Sequence, residues 1–179
     1  MKLPLCYYGN PILRKKCQTV DKITPEIRQL VQDMIETMDA ANGVGLAATQ
    51  VGSLHRLFVI RPEIKNEEGE FALGAPEVFI NPVLSKPTEE GQVMNEGCLS
   101  FPGLHLEVIR PYGIHVEALN LEGEKISADV YGFKARELMH ENDHLNGVVF
   151  VDRVTDSIKK EIKPVLREMK AKYSKNKKS

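Results

Sequence analysis

Residues 114–147 read IHVEALNLEGEKISADVYGFKARELMHENDHLNG. Ile114, Val116 and Ala118 alternate with polar positions, Asn120–Leu121–Glu122–Gly123 supplies a turn, and Lys125 to Val130 returns, which is the pattern of two adjacent strands paired antiparallel. The apolar period then changes from two to that of a helix over Phe133 to Asn146, and Gly147 stands where a glycine closes a helix. Together with the helix before it, the further strands and the last helix described below, this pattern predicts an α+β domain.

The same rules extend outward. Leu104, Leu106 and Val108 alternate, and Val78–Phe79–Ile80 and Leu57–Phe58–Val59–Ile60 are short apolar runs, so each is expected to be a strand. Thr24–Pro25–Glu26 is a helix start, with an N-cap hydroxyl, proline in the first turn and an early acid. Ile27, Leu30, Val31, Met34, Ile35 and Met38 continue it as one apolar stripe that stops before Gly43. A last helical stripe carries Ile158, Ile162, Leu166, Met169 and Tyr173, with Pro164 inside it; that helix is expected to start late or to kink. There is no internal repeat and no Ser/Gly linker, so residues 1–179 are expected to form one domain, with about 157–179 as a basic helix and tail.

Composition narrows the class. Of 179 residues, 42% are hydrophobic and 27% charged, close to a globular average, which excludes a disordered or collagen-like chain. The start, Leu3–Pro4–Leu5–Cys6–Tyr7–Tyr8, is too short and broken for a signal-peptide core, and no apolar run approaches the roughly 20 residues of a membrane span. A cytoplasmic protein, with no membrane partner and no specific DNA site, is the expectation. Cys6, Cys17 and Cys98 form no disulfide framework and are read as thiols or metal ligands. From Ser157 onward nine Lys/Arg face two Glu, a charge of +7, so the other 156 residues carry −8 of the total −1. Basic ends lie near polyanions or simply form a solvated face.

The chemistry begins at His140–Glu141–Asn142–Asp143–His144. Positions i and i+4 share a helix face, so both imidazoles can reach one metal ion, with Glu141 beside them and free to handle a water's proton. A catalytic site of this kind uses three protein ligands. Downstream of His144 there is no further His and no Glu before Glu161, whereas upstream lies Glu96–Gly97–Cys98–Leu99–Ser100. A thiolate from Cys98 would suit softer divalent metals, although a lone cysteine is also an ordinary buried residue. Gly43–Val44–Gly45–Leu46–Ala47–Ala48–Thr49–Gln50 offers close backbone approach and a side-chain amide N–H suited to an oxyanion, and it lacks the lysine of a phosphate-binding loop. Asp143 is read either as orienting a ligand or as a surface charge.

These three segments in this order resemble the peptide deformylases, whose motifs run GxGLAAxQ, EGCLS and HExDH. The resemblance spans most of the chain, including Pro11–Ile12–Leu13–Arg14 and Leu145–Asn146–Gly147. It implies removal of the formyl group from N-terminal formyl-methionine of newly made polypeptides, with release of formate. It implies antiparallel strands around a central metal-binding helix, flanked by N- and C-terminal helices. It implies one Fe(2+) ion per chain, with Zn, Ni or Co as substitutes, held by Cys98, His140 and His144. Glu141 would take a proton from the metal-bound water and pass it to the leaving amine, and Gln50 with the Leu99 backbone N–H would stabilise the oxyanion. Val44, Gly45, Glu96 and Gly97 would contact substrate, the nascent formylated chain. With such a substrate, Lys159, Lys160, Lys163, Arg167, Lys170 and Lys172 become candidates for transient ribosome contact. Thr49, Met139 and Glu137 depart from the family pattern. Glu137 places a charge where an apolar residue is usual near the methionine pocket, with Arg136 as a candidate partner.

Two other readings stay open on the residues alone. An HExxH zinc peptidase would take a downstream third ligand and leave Cys98 incidental. A binding module would close a structural metal site and use the basic tail for RNA. His55, His105 and His115 lie outside the motifs, His105 near enough to EGCLS to line the cleft.

Overall fold

The computed structural model describes residues 1–65 and 67–174. In chain order its elements are α1 (Pro25–Ala40), β1 (Gly45–Ala47), β2 (Leu57–Ile60), β3 (Glu63–Lys65), β4 (Phe71–Leu73), β5 (Glu77–Ser85), β6 (Gly91–Gly97), β7 (His105–Pro111), β8 (Gly113–Leu119), β9 (Lys125–Tyr131), α2 (Gly132–Leu145) and α3 (Asp156–Ser174). Strands β1, β2, β5, β8 and β9 lie in that order in one sheet, every neighbour antiparallel. Two further antiparallel pairs, β3 with β4 and β6 with β7, complete the mixed architecture.

Within the five-stranded sheet, β2 is buried on both faces, and alternation along it shows how. Leu57 and Val59 pack with Leu46, Ile80 and the α1 stripe of Ile27, Val31, Met34 and Met38. Phe58 and Ile60, one residue out of step, pack with Phe79, Val116, Ala118 and with Leu138 and Leu145 of α2. That is why β2 reads as an unbroken apolar run rather than an alternating one. The α1 helix begins as its sequence requires, the Thr24 hydroxyl accepting from the Ile27 N–H.

The α2 helix has a different character. Ten of its fourteen residues are buried, among them Arg136, Glu137, His140, Glu141, Asp143 and His144, although the segment is strongly polar. Its apolar side rests on the sheet, while its polar side meets the β6–β7 pair: Arg136 donates to the carbonyl of Val108 at 3.0 Å and to that of Gln92. At its end Gly147 takes φ +73°, and a side chain there would run into the Arg14 carbonyl at 2.6 Å. Only glycine serves both the turn and the close approach.

The sequence pattern missed β1, β3, β4 and β6. Of these β6 matters most, because it delivers Glu96 and Gly97 to the site. Of the two expectations for the last helix, a late start does not hold. The α3 helix starts at Asp156, eight residues before Pro164, and continues past it; Ile162 and Met169 anchor it in an apolar cluster with Phe101, Val108 and Phe150. Tertiary burial on one side outweighs the helix-breaking tendency of one proline. The basic residues from 175 onward lie outside the described residues.

Candidate metal centre

Cys98 leaves the end of β6, while His140 and His144 project from α2 one turn apart. The fold brings them together: one ligand atom from each lies within 4.8 Å of the others, and Cys98 Sγ is 3.3 Å from His144 Nε2. Cys98 and His140 line a cavity of about 510 Å³.

The surroundings of these donors are largely fixed. His140 Nδ1 meets Glu96 Oε2 at 2.9 Å, which turns the other ring nitrogen toward the cluster. Glu96 in turn accepts from Arg110 Nε at 2.5 Å, Arg110 Nη2 at 3.0 Å and Arg136 Nη1 at 2.7 Å. Arg110 also donates to Asp143 at 2.9 Å, and Arg153 holds Asp143 at 2.6 Å. Asp143 is therefore a buried anchor of this charge network, not a surface carboxylate. Despite its own burial, Glu96 is held well below the usual carboxylate range by the bonds from His140 and Arg110. Both its oxygens are engaged, which fixes the His140 ring, and Glu96 also lines the cavity. Arg136, expected beside Glu137, is committed to Glu96 instead.

Gln50 is held from both ends. Its Oε1 accepts from the Ala47 N–H at 2.8 Å, and its Nε2 donates to Ser100 Oγ at 3.1 Å and to Cys98 Sγ at 3.5 Å. An amide N–H thus points into the site beside the cysteine. Leu99 lines the same cavity, and among the described residues nothing accepts a hydrogen bond from its N–H. The Gly43–Gly45 segment is needed for protein contacts rather than for the ligand alone. A Cβ on Gly43 would come within 2.7 Å of Leu99 Cδ1, and one on Gly45 would overlap the Glu141 carboxylate, with Cδ at 2.9 Å. A Cβ on Gly97 would likewise meet the His105 ring at 2.9 Å, and His105 lines the cavity. Val44 lines it too.

The two imidazoles are shifted in opposite directions. Burial disfavours a charged His140, but the bonds to Cys98 and Glu96 prevail and raise its pKa well above the ordinary value. Burial, then the charges of His140 and Arg110, push His144 well below it. Burial lifts Glu141 to about 7, opposed by His140 and helped by Glu96. Glu141 Oε2 and His144 Nδ1 are buried without a hydrogen-bond partner. One thiolate and two imidazoles make a donor set suited to Zn, Fe, Co or Ni, so the residues present fit such an ion.

Sequence reasoning found Cys98, His140, Glu141, His144 and Gln50 but missed Arg110, Arg153 and Ser100. Arg110 sits in β7 at an alternate inward position, after Leu106 and Val108. A charge in an apolar register was the available signal.

A sequence model of the polypeptide deformylase family matches residues 2–161. A peptide deformylase of Clostridium botulinum is 46% identical over 148 residues, 83% of this chain and 93% of the relative. One from a Picosynechococcus species is 42% identical over 156 residues, 87% and 81% of the two chains. Among solved structures, peptide deformylase 1B of Arabidopsis thaliana superposes with a TM-score of 0.87 at 36% identity, covering 99% of this chain and 94% of that one. The Thermotoga maritima enzyme gives 0.78 at 37%, covering 87% and 99%. With the family model spanning nearly its whole length and such relatives on both counts, this chain belongs to the polypeptide deformylase family.

Proposed function

We propose that the chain is a metal-dependent deformylase that hydrolyses the formyl group from formyl-methionine at the N-terminus of nascent polypeptides. Cys98, His140 and His144 hold the metal, Fe(2+) in this reading, with Zn, Ni or Co as substitutes. The observation that carries it is the meeting of these three donors near the buried Glu141, whose Oε2 has no hydrogen-bond partner among the described residues. The Cys98 thiol in that cluster also favours this reading over a zinc peptidase, whose third ligand would lie downstream. The single thiol favours an open site over a structural one closed by four protein ligands.

When bound, the ion supplies Lewis acidity toward the formyl carbonyl and toward water. Every remaining step belongs to the chain. Glu141, lifted by burial toward neutrality, accepts a proton from the attacking water as the new C–O bond forms. The side-chain N–H of Gln50 and the backbone N–H of Leu99 donate to the carbonyl oxygen as it takes negative charge. The C–N bond then breaks, Glu141 returns its proton to the departing amine, and formate and a free methionyl N-terminus result. Glu96, clamped by Arg110 and Arg136, keeps the His140 ring aligned throughout. Val44, Gly45 and Gly97 form backbone walls against which an extended peptide lies.

Residues 1–179 are read as one such domain, in a cytoplasmic setting where nascent chains arise. No helix among the described residues is long and apolar enough to cross a membrane. The basic face of α3 adds a transient ribosome contact: Lys160, Lys163, Arg167, Lys170 and Lys172 are exposed, and Lys159 is half-buried.

The deciding experiment combines anaerobic purification, metal analysis and formate release from formyl-Met-Ala. One ion per chain and stoichiometric formate are expected, and Cys98→Ser should lose most of the metal. A Cys98→Ser protein that keeps its ion and cleaves internal peptide bonds would support the peptidase instead.

A further inference from the structure

Glu137 is the residue that the proposed mechanism leaves idle. It lines the same cavity as Cys98 and Glu141, yet it is only 5% exposed, and neither carboxyl oxygen has a hydrogen-bond partner. Leaving such a group buried and unsatisfied is costly, and a persistent case asks what completes it. Among the described residues no cation pairs with it: Arg136 is taken by Glu96, and Lys134 pairs with Glu77 at 2.7 Å. Burial pushes Glu137 up to about 8, helped by the charges of Glu141, Glu63 and Glu77 and opposed by Lys134. At neutral pH the group is therefore chiefly a carboxylic acid, holding one O–H donor and a carbonyl acceptor.

Its position follows from the helix. Glu137 lies four residues before Glu141 and three before His140, one turn back along the same face of α2, and Phe133 lines the cavity one turn further. The rise of a turn is about 5.4 Å. With the formyl carbon at Cys98, His140 and Glu141, the substrate's first side chain begins two bonds away and has about that reach. Directed along this face it passes Glu137 and ends toward Phe133.

We propose that Glu137 makes the recess for the first side chain polar, so that the enzyme accepts formyl-methionine sulfoxide peptides as well as formyl-methionine ones. This rests on the deformylase reading. The thioether of methionine is a weak acceptor and leaves the acid nearly unsatisfied, whereas a sulfoxide oxygen on a chain of the same length is a strong one. An apolar recess would reject the sulfoxide because its oxygen would be desolvated without a partner.

The test compares kcat/KM for formyl-Met-Ala, formyl-methionine sulfoxide-Ala and formyl-norleucine-Ala in the metal-loaded wild-type enzyme, Glu137→Leu and Glu137→Gln. The wild type should process the sulfoxide. Its sulfoxide-to-norleucine ratio should fall roughly 10- to 100-fold in Glu137→Leu, one hydrogen bond's worth of discrimination, and by much less in Glu137→Gln, whose amide still donates. If Glu137→Leu does not fold, Glu137→Met carries the same comparison. A ratio unchanged within twofold in the apolar variant, with formyl-Met-Ala still processed, overturns this inference alone. Formate from none of the three substrates in the wild type overturns the deformylase reading, and this inference with it.

Discussion

The carboxylate of Glu141 rests directly against the Cα of Gly45, with no room for a methyl group between β1 and α2. The contact ties the glycine-rich segment to the HExxH helix. It makes the placement of the proton acceptor depend on a residue nearly a hundred positions earlier in the chain. Gly45→Ala should therefore displace Glu141 while leaving Cys98, His140 and His144 in place. The expected result is a loss of formate release approaching that of removing the base, about 10²-fold, with metal content near wild type. Full activity in Gly45→Ala would show that the carboxylate has slack the geometry does not suggest.

Glu141→Gln keeps the shape and removes the proton acceptor. Activity should fall by about 10²–10⁴-fold. The variant should still bind one ion, because Glu141 is not among the three converging donors. Metal analysis of the same preparation separates this from a structural failure, since a misfolded site would lose both.

Glu96→Gln breaks the buried network at its hub. Arg110 and Arg136 would lose their shared countercharge while remaining buried, a change that typically costs about 3–5 kcal/mol. His140 would also lose the acceptor that fixes its ring, and metal affinity should drop about 10- to 100-fold. Urea unfolding and competition with a chelator measure the two effects separately. A variant as stable as wild type, with unaltered affinity, would remove Glu96 from this role.

Glu137 gives a pH signature. Its folded pKa of about 8 lies above the ordinary carboxyl value of 4.5, so between these limits the native state holds a proton the unfolded chain has released. Stability must then fall as pH rises through that window, with a limiting slope of about 1.4 kcal/mol per pH unit from this group. Glu137→Gln carries no such proton. The stability difference between variant and wild type should grow in the variant's favour from pH 5 to pH 8, as read by denaturant unfolding. Parallel pH profiles would contradict the burial assigned to this carboxyl.

The α3 helix cannot simply be removed to test its charge, since Ile162 and Met169 are part of the core. Reversing Lys160, Lys163 and Arg167 to Glu alters only exposed positions. Ribosome co-sedimentation should weaken, and the wild-type interaction should be lost as salt is raised. Formate release from a dipeptide should be unaffected. Equal, salt-insensitive sedimentation of both proteins would dispose of the ribosome contact.

Much of this protein was legible in its sequence. The Thr24–Pro25 start of α1, the β8–β9 hairpin and the closure of α2 at Gly147 follow from local dihedral and capping preferences, which act over a few residues and need no tertiary partner. The HExxH spacing fixes two imidazoles on one helix face for the same reason. Other features required the folded chain. Cys98 is an ordinary small residue until β6 carries it to within 3.3 Å of His144, a distance set by pairing across more than forty positions. The strand β6 escaped notice because both its faces are partly polar, and α3 passes through Pro164 because its buried face holds it. Only the tertiary structure could decide what each charge on α2 meets. Arg136 finds Glu96, Asp143 finds Arg110 and Arg153, and Glu137 finds nothing. A residue's own chemistry sets what it can bond, but burial and long-range register determine which partner is within reach.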